Sequence, residues 1–228
     1  MSIEIKKYSD SFREQWEEFV WSANNGTIFH TRQFLSYHPA DRFVDHSLLF
    51  LKKGRILALF PAVDFDDDGT RLLLSHRGAS YGGFVIKDTL SIREAFDLVE
   101  ALIHYAKAEG FETIDMTPPP QIYLRRPSNY IDFALVQNGF TYRKREISSV
   151  IPLDFTSEEI LSTFNEGSRR AVRRGQKLGV NVRESDDPKE YEKFYAILKK
   201  NLRLRHGVNP THTLPELIKV KNLFPERV

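Results

Sequence analysis

Asn165-Glu166-Gly167-Ser168-Arg169-Arg170-Ala171-Val172-Arg173-Arg174-Gly175-Gln176-Lys177-Leu178-Gly179-Val180 divides this chain in two. Ser168 reads as an N-cap and Gly179 as the residue that follows the last turn, so a short helix is predicted between them. Arg169, Arg170, Arg173, Arg174 and Lys177 recur at helical spacing and gather on one broad face. Ala171, Val172 and Leu178 offer only a thin apolar stripe. Such a helix gains little from burial and repels itself unless an anion faces it. Two readings stand open: a solvated basic helix joining two domains, or the cationic edge of a cleft that concentrates anionic ligands.

Upstream of the joint, Ser2 to Tyr8 alternates as a strand, and Phe12, Trp16, Phe19 and Val20 share one helical face that Asn24-Asn25-Gly26 ends. Thr27-Ile28-Phe29-His30-Thr31-Arg32-Gln33-Phe34-Leu35 reads as a loop entering a short helix that stops near Pro39. Ser47–Leu51, Ile56–Phe65 and Leu72–Ser75 are apolar runs joined by short turns, which predicts an antiparallel meander. Ser91-Ile92-Arg93-Glu94 is a capping box that opens a long amphipathic helix reaching Gly110. Thr113–Met116 follows as a strand, Phe133–Gln137 as a short helix and Glu146–Leu153 as another strand.

Downstream, Val180–Glu184 is expected as a strand. Asp187-Pro188 opens a helix lined by Tyr191, Phe194, Tyr195, Leu198 and Leu202 and closed by Gly207. Thr213-Leu214-Pro215-Glu216 opens one more. The order predicts an α/β (α+β layered) fold, a mixed sheet flanked by helices over 1–153, and a second, incomplete unit over 154–228. Two helices with that much aromatic surface need a sheet to pack on, on the first domain or on another subunit.

Composition narrows the chemistry. The 228 residues are 41% hydrophobic and 28% charged, with a net charge of only +2, so any basic site is local. With no cysteine there is no disulfide, thiolate nucleophile or thiolate metal site. The N-terminus lacks the apolar core of a signal peptide, and no apolar run approaches the roughly 20 residues of a membrane span. A soluble, cytoplasmic protein is predicted, one that meets a membrane only from its surface.

Gly78-Ala79-Ser80-Tyr81-Gly82 fits the G-x-S-x-G pattern of a nucleophile elbow, but strand-like Phe84-Val85-Ile86 follows where a helix should support the serine. The alternative is a glycine turn that lets backbone or ligand come close. The seven histidines form no H-E-x-x-H, and no metal site is expected. Neither a Walker A loop nor G-x-G-x-x-G occurs. Arg203, Arg205 and His206 end a helix, where cations suit the dipole and arginine forks suit carboxylate or phosphate. Phe29, His30, Arg32 and Phe34 are either core or the mixed wall of a pocket.

Taken in order, the Thr27–Leu35 loop, the Ser75–Val85 glycine turn, the Arg169–Arg174 joint and Phe194-Tyr195 followed by Arg203-Leu204-Arg205-His206-Gly207 resemble the FemABX-like proteins of the GNAT superfamily. Bacteria use these to attach amino acids to peptidoglycan precursors. The resemblance covers nearly the whole chain and implies two GNAT-like domains with an anionic muropeptide or surface-glycan precursor bound between them. It implies an aminoacyl-tRNA or acyl-CoA as donor substrate and no tightly bound cofactor. Carried over by position, Arg32 and Arg205 would hold the diphosphate and sugar-peptide parts. His30, His76, Tyr81, Arg169, Arg170 and Arg173 would be further substrate contacts. Members of the family continue through a complete second domain, whereas this sequence stops after two helices, so the piece alone is expected to be inactive. Direct transfer from an activated acyl donor to an amine needs orientation, an oxyanion contact and a route for one proton, but no covalent nucleophile. The rival reading is a non-catalytic nucleic-acid- or polyanion-binding module that uses the Arg169–Lys177 helix.

Overall fold

The computed structural model describes residues 3–226. Strand β1 (Glu4–Lys7) leads to helix α1 (Arg13–Ser22) and the short α2 (Arg32–Leu35). Strands β2 (Val44–Asp45), β3 (Leu48–Lys52), β4 (Arg55–Phe60), β5 (Val63–Asp67), β6 (Thr70–Ser75) and β7 (Val85–Ile86) follow. Then come α3 (Ile92–Ala108), β8 (Thr113–Met116), α4 (Tyr130–Gln137), α5 (Ser157–Thr163), α6 (Glu166–Lys177), α7 (Pro188–His206) and α8 (Leu214–Leu223).

The strands form two four-stranded sheets, ordered β1-β3-β4-β7 and β2-β5-β6-β8. All pairs are antiparallel except β6 and β8, where Leu73 lies opposite Ile114 in parallel register. The apolar run Ile56–Phe65, expected as one strand, is split at Pro61 between β4 and β5, in different sheets. Pro61 has no N–H to give a ladder, and its carbonyl accepts the Ser75 hydroxyl instead. The sheets therefore part at Pro61 on one strand pair and beyond Ser75 on the next.

β3 is apolar almost throughout because both its faces are covered. Leu48, Phe50, Ala58 and Phe60 pack with Ala95, Leu98, Val99, Leu102 and Ala106 of α3. Leu49, Leu51, Leu59 and Val85 pack with Trp16, Phe19 and Val20 of α1. A strand's two-residue period thus puts one helix on each side. The capping box at Ser91 is present, with the Glu94 carboxylate accepting from Ser91 N–H at 3.0 Å and from Lys52 Nζ at 2.8 Å.

The chain divides into two compact units, one running up to Thr141 and resuming from Pro215, the other Tyr142–Leu214. The first is thus discontinuous in sequence. α8 closes it, with Phe224 beside Phe34 and Tyr37, and with Gln33 Nε2 donating to Leu223 O at 2.7 Å. Lys219 Nζ reaches the carbonyls of Ser36 and Tyr37, and Arg42 pairs with Glu216 at 2.7 Å.

In the second unit the expected strands Glu146–Leu153 and Val180–Glu184 do not form; both stretches are irregular and exposed. A strand exists through its ladder, and neither stretch pairs with another among the described residues. The N-cap of α6 is Asn165 rather than Ser168, its Oδ1 accepting Ser168 N–H at 2.8 Å. Helix α5 is an addition, opened by a full capping box of Thr156 and Glu159. α7 begins and ends where the sequence placed it, with Asp187 capping and Gly207 left-handed.

Candidate functional site

In the first unit the Thr27–Leu35 loop and the Ser75–Gly83 turn are built against each other. His30 is fully buried, and Thr27 N–H donates to its Nδ1 at 3.0 Å. A backbone N–H can only donate, so Nδ1 is the acceptor and the ring proton sits on Nε2. Nε2 faces the Gly82 carbonyl at 3.3 Å. Trp16 Nε1 donates to the His30 carbonyl at 2.8 Å, tying the loop to α1 as well. Burial lowers His30 to about 4, against the pull of its Gly82 and Thr27 backbone partners, so the ring is neutral at physiological pH. It is a buried brace between loop and turn.

The turn is glycine-rich for steric reasons. A Cβ on Gly82 would lie 2.5 Å from the Ser75 carbonyl carbon, and one on Gly78 (φ +87) 2.5 Å from His38 Nε2. His38 Nε2 also lies 2.8 Å from Gly78 O. Ser75 Oγ accepts from Gly83 N–H at 2.7 Å and closes the turn from inside. The Gly78–Gly82 pattern runs on into β7, not into a helix, and Ser80 is an exposed bend residue. The elbow geometry is not built.

His76 is buried with its ring edge-on to Phe43 at 5.8 Å, and its Nδ1 has no hydrogen-bond partner. Burial lowers it to about 4, outweighing the nearby Asp45 carboxylate and the Arg77 backbone. Tyr81 is partly exposed. Its ring meets Phe29 at 5.5 Å and the half-exposed Tyr123 at 5.7 Å. Burial, then Tyr123, pushes its hydroxyl upward. From Tyr123 through Tyr81, Phe29, Phe34, Tyr37, His38 and Phe43 to His76, each ring touches the next. The loop and turn are therefore one aromatic wall, with Tyr81 and Tyr123 at its open end. Tyr123 and His38 were not among the residues singled out from sequence; only their spatial stacking reveals them.

Arg32 is engaged on every side. Its guanidinium donates to Asp45 Oδ1 at 3.3 Å, Asp45 Oδ2 at 2.5 Å and Ser47 Oγ at 2.9 Å, and lies 3.9 Å over the Tyr8 ring. Its side chain is 12% exposed, so an anion would have to compete with Asp45 for the same fork. Burial pushes Asp45 up, but Arg32 and Ser47 together hold it below the usual carboxylate range.

The remaining candidates lie in the second unit. Arg169 donates to the carbonyls of Ser162 (3.2 Å) and Phe164 (2.9 Å), at the end of α5. Arg170 makes an exposed pair with Glu166 at 2.8 Å. Arg173 is exposed on α6, and Arg205 on the last turn of α7. No group of three or more histidine and acidic side chains that could hold a metal occurs among the described residues. No described helix is long and apolar enough to cross a membrane.

No family model matches the chain, and no curated protein is similar to it in sequence. Solved structures are. FemX superposes on 98% of the chain with a TM-score of 0.61 at 18% identity. The chain spans 55% of that structure's length. A ribosomal-protein-alanine N-acetyltransferase from Brucella melitensis biovar Abortus superposes on 67% of the chain, TM-score 0.42, at 16% identity. A GNAT family acetyltransferase from Staphylococcus aureus superposes on 66%, TM-score 0.40, at 12%. The chain shares the fold of the part of FemX it superposes on, a mixed α/β architecture with helices over two sheets.

Proposed function

We propose that this chain takes part in acyl or aminoacyl transfer to an amine of an anionic cell-wall (muropeptide) or surface-glycan precursor. The observation that supports the reading is the FemX-like course of the backbone over 98% of its length. On this reading a second GNAT-like domain opens within 154–228, ahead of α8, which packs on the first unit, and the precursor is the ligand this chain contributes to binding. Arg205 and the exposed cations of α6 attract its phosphates. The partly exposed Tyr81 and Tyr123 offer an aromatic face to its sugar or base. Arg32, His30 and His76 hold the loop and turn that present that face. The donor is an activated ester or thioester, aminoacyl-tRNA or acyl-CoA. The acceptor nitrogen attacks the donor carbonyl carbon, the C–N bond forms, the C–O or C–S bond breaks, and one proton leaves the nitrogen. No enzyme-bound intermediate is needed.

Calorimetric titration with a nucleotide-linked muropeptide tests the binding half of this reading. The unaltered chain should bind it, and Arg205→Ala should weaken binding about tenfold or more, the cost of losing one charge-assisted contact. No heat at about 1 mM precursor, the weak end of specific affinities, removes the proposal.

A further inference from the structure

His38 is buried against the glycine turn, its ring stacked on Tyr37 at 3.9 Å and edge-on to Phe43 at 4.9 Å. Arg42 Nη1 lies 3.4 Å from its Nδ1. A guanidinium only donates, so Nδ1 accepts and the ring proton is on Nε2. Nε2 donates that proton to the Gly78 carbonyl at 2.8 Å. Arg42 is held in turn by Glu216 of α8 at 2.7 Å, and the Glu216 side chain is nearly buried.

Gly78 has φ +87 and no room for a Cβ beside His38 Nε2, so the ring and the start of the turn fit closely. Further along the turn, Tyr81 is the partly exposed ring at the open end of the aromatic wall. Between them Ala79 packs against the Phe34, Tyr37 and Phe224 cluster, as do Val220 and Leu223 of α8. The turn is thus gripped at both ends, by His30 at Gly82 and by His38 at Gly78. The second grip runs back, through an imidazole and a guanidinium, to a carboxylate on another helix.

We propose that His38 is a positioning residue for Tyr81, and that Glu216 on α8 sets it by anchoring Arg42. Without the carboxylate, the 36% exposed Arg42 side chain is free to swing into solvent. His38 then loses the donor that fixes its tautomer, and the Gly78 carbonyl loses its steady partner. The turn loosens at its first glycine, and Tyr81 loses its set angle to Phe29 and Tyr123. What the held ring is for rests on the transferase reading, in which Tyr81 meets the sugar or base of the precursor. On that reading, side chains that never touch the ligand govern how well it binds.

Two measurements separate the link from its purpose. The first needs no ligand: the full chain is labelled with 3-fluorotyrosine, and the Tyr81 fluorine resonance is assigned through Tyr81→Phe. His38→Phe keeps a stacked ring without the Nε2 donor, and Glu216→Gln keeps the size of the side chain without its charge. Each should move or broaden the Tyr81 resonance and leave that of Tyr130, on α4, in place. His38→Gln, which carries a donor at a similar reach, should restore it. An unmoved Tyr81 resonance overturns the proposal, and so does equal disturbance of Tyr130, which would mean general loosening. Should His38→Phe fail to fold, Glu216→Gln carries both measurements. The second is titration with the nucleotide-linked muropeptide. His38→Phe and Glu216→Gln should each weaken binding about fivefold, the contribution of one hydrogen bond, and neither should weaken it further in a Tyr81→Ala background. A full additional loss in that background overturns the proposal, because His38 would then act by a route other than Tyr81. A moved resonance in a chain that binds no precursor supports the positioning of Tyr81 and removes the transferase reading instead.

Discussion

The residue with the most to lose is Arg32. Its guanidinium satisfies Asp45 and Ser47 and covers Tyr8, and its side chain is nearly buried. Arg32→Ala removes the fork from Asp45 and Ser47 and the cover from Tyr8; with the Asp45 side chain 38% exposed, water takes up part of the lost pairing and the cost is about 1–2 kcal/mol. Arg32→Lys keeps the charge but not the fork, so it should recover only part. Urea denaturation reads both; a loss below about 0.5 kcal/mol for Arg32→Ala would class the pair with ordinary surface bridges. Asp45 is depressed, so its pairing stabilises the fold above the unfolded carboxylate pKa and is lost as pH falls through its lower folded value. Arg32→Ala should therefore flatten the acid side of the stability profile. The histidines act with the opposite consequence for charge but the same slope. His30 and His76 sit near 4 when folded, so between about 6.5 and 4 the unfolded chain binds protons that the folded chain refuses. Stability falls with pH across that window. His76→Phe removes one such group and its unpartnered Nδ1, so it should leave stability near neutral pH within about 1 kcal/mol and make the pH 4 to 6.5 slope shallower. An unchanged slope would mean that His76 is protonated inside the fold.

At the scale of elements, local signals carried the helices and failed for the strands of the second unit. The capping box at Ser91, the Asp187-Pro188 start and Gly207 each specify a helix end from within a few residues, and all three are present. Thr156 and Glu159 form the same kind of box, and the two residues were there to be read. Asn165 lies three residues before Ser168, so both were eligible caps; the one whose oxygen meets an N–H is Asn165. Glu146–Leu153 and Val180–Glu184 have strand-like composition, but a strand is completed by its neighbour and not by its own sequence. The aromatic wall was half legible. Its loop and turn stood out as motifs, while the rings that join them come from elsewhere, His38 and Phe43 from the α2–β2 connection and Tyr123 from beyond β8. Asn165→Ala should cost α6 about 1 kcal/mol. Because α6 packs on so little, that loss should stay local: amide exchange over Gly167–Arg170 should quicken about fivefold while exchange in β3 and β4 is unchanged. Equal acceleration in both places would show that α6 unfolds only with the whole molecule.

At the scale of the whole molecule, the first unit is assembled from two stretches far apart in sequence, and this has a consequence for cleavage. Residues 142–153 are exposed and lack regular structure, and exposed irregular backbone is where proteases cut first. They contain Arg143, Lys144 and Arg145, so brief trypsin treatment should nick the chain there. The C-terminal piece still carries α8, which is held to the first unit by Phe224 against Phe34 and Tyr37, by Gln33 on the Leu223 carbonyl, by Lys219 on two carbonyls and by the Arg42–Glu216 pair. The nicked protein should therefore elute from a native sizing column as one species and separate into two bands only under denaturing conditions. Phe224→Ala removes the buried ring at the centre of that contact, at a cost of about 3–5 kcal/mol, and after nicking nothing covalent compensates. The two pieces of that variant should part on the native column, while the uncut variant elutes normally. Separation of the unaltered protein's pieces after a single nick would mean that α8 is kept in place by the continuity of the chain and contributes little packing of its own.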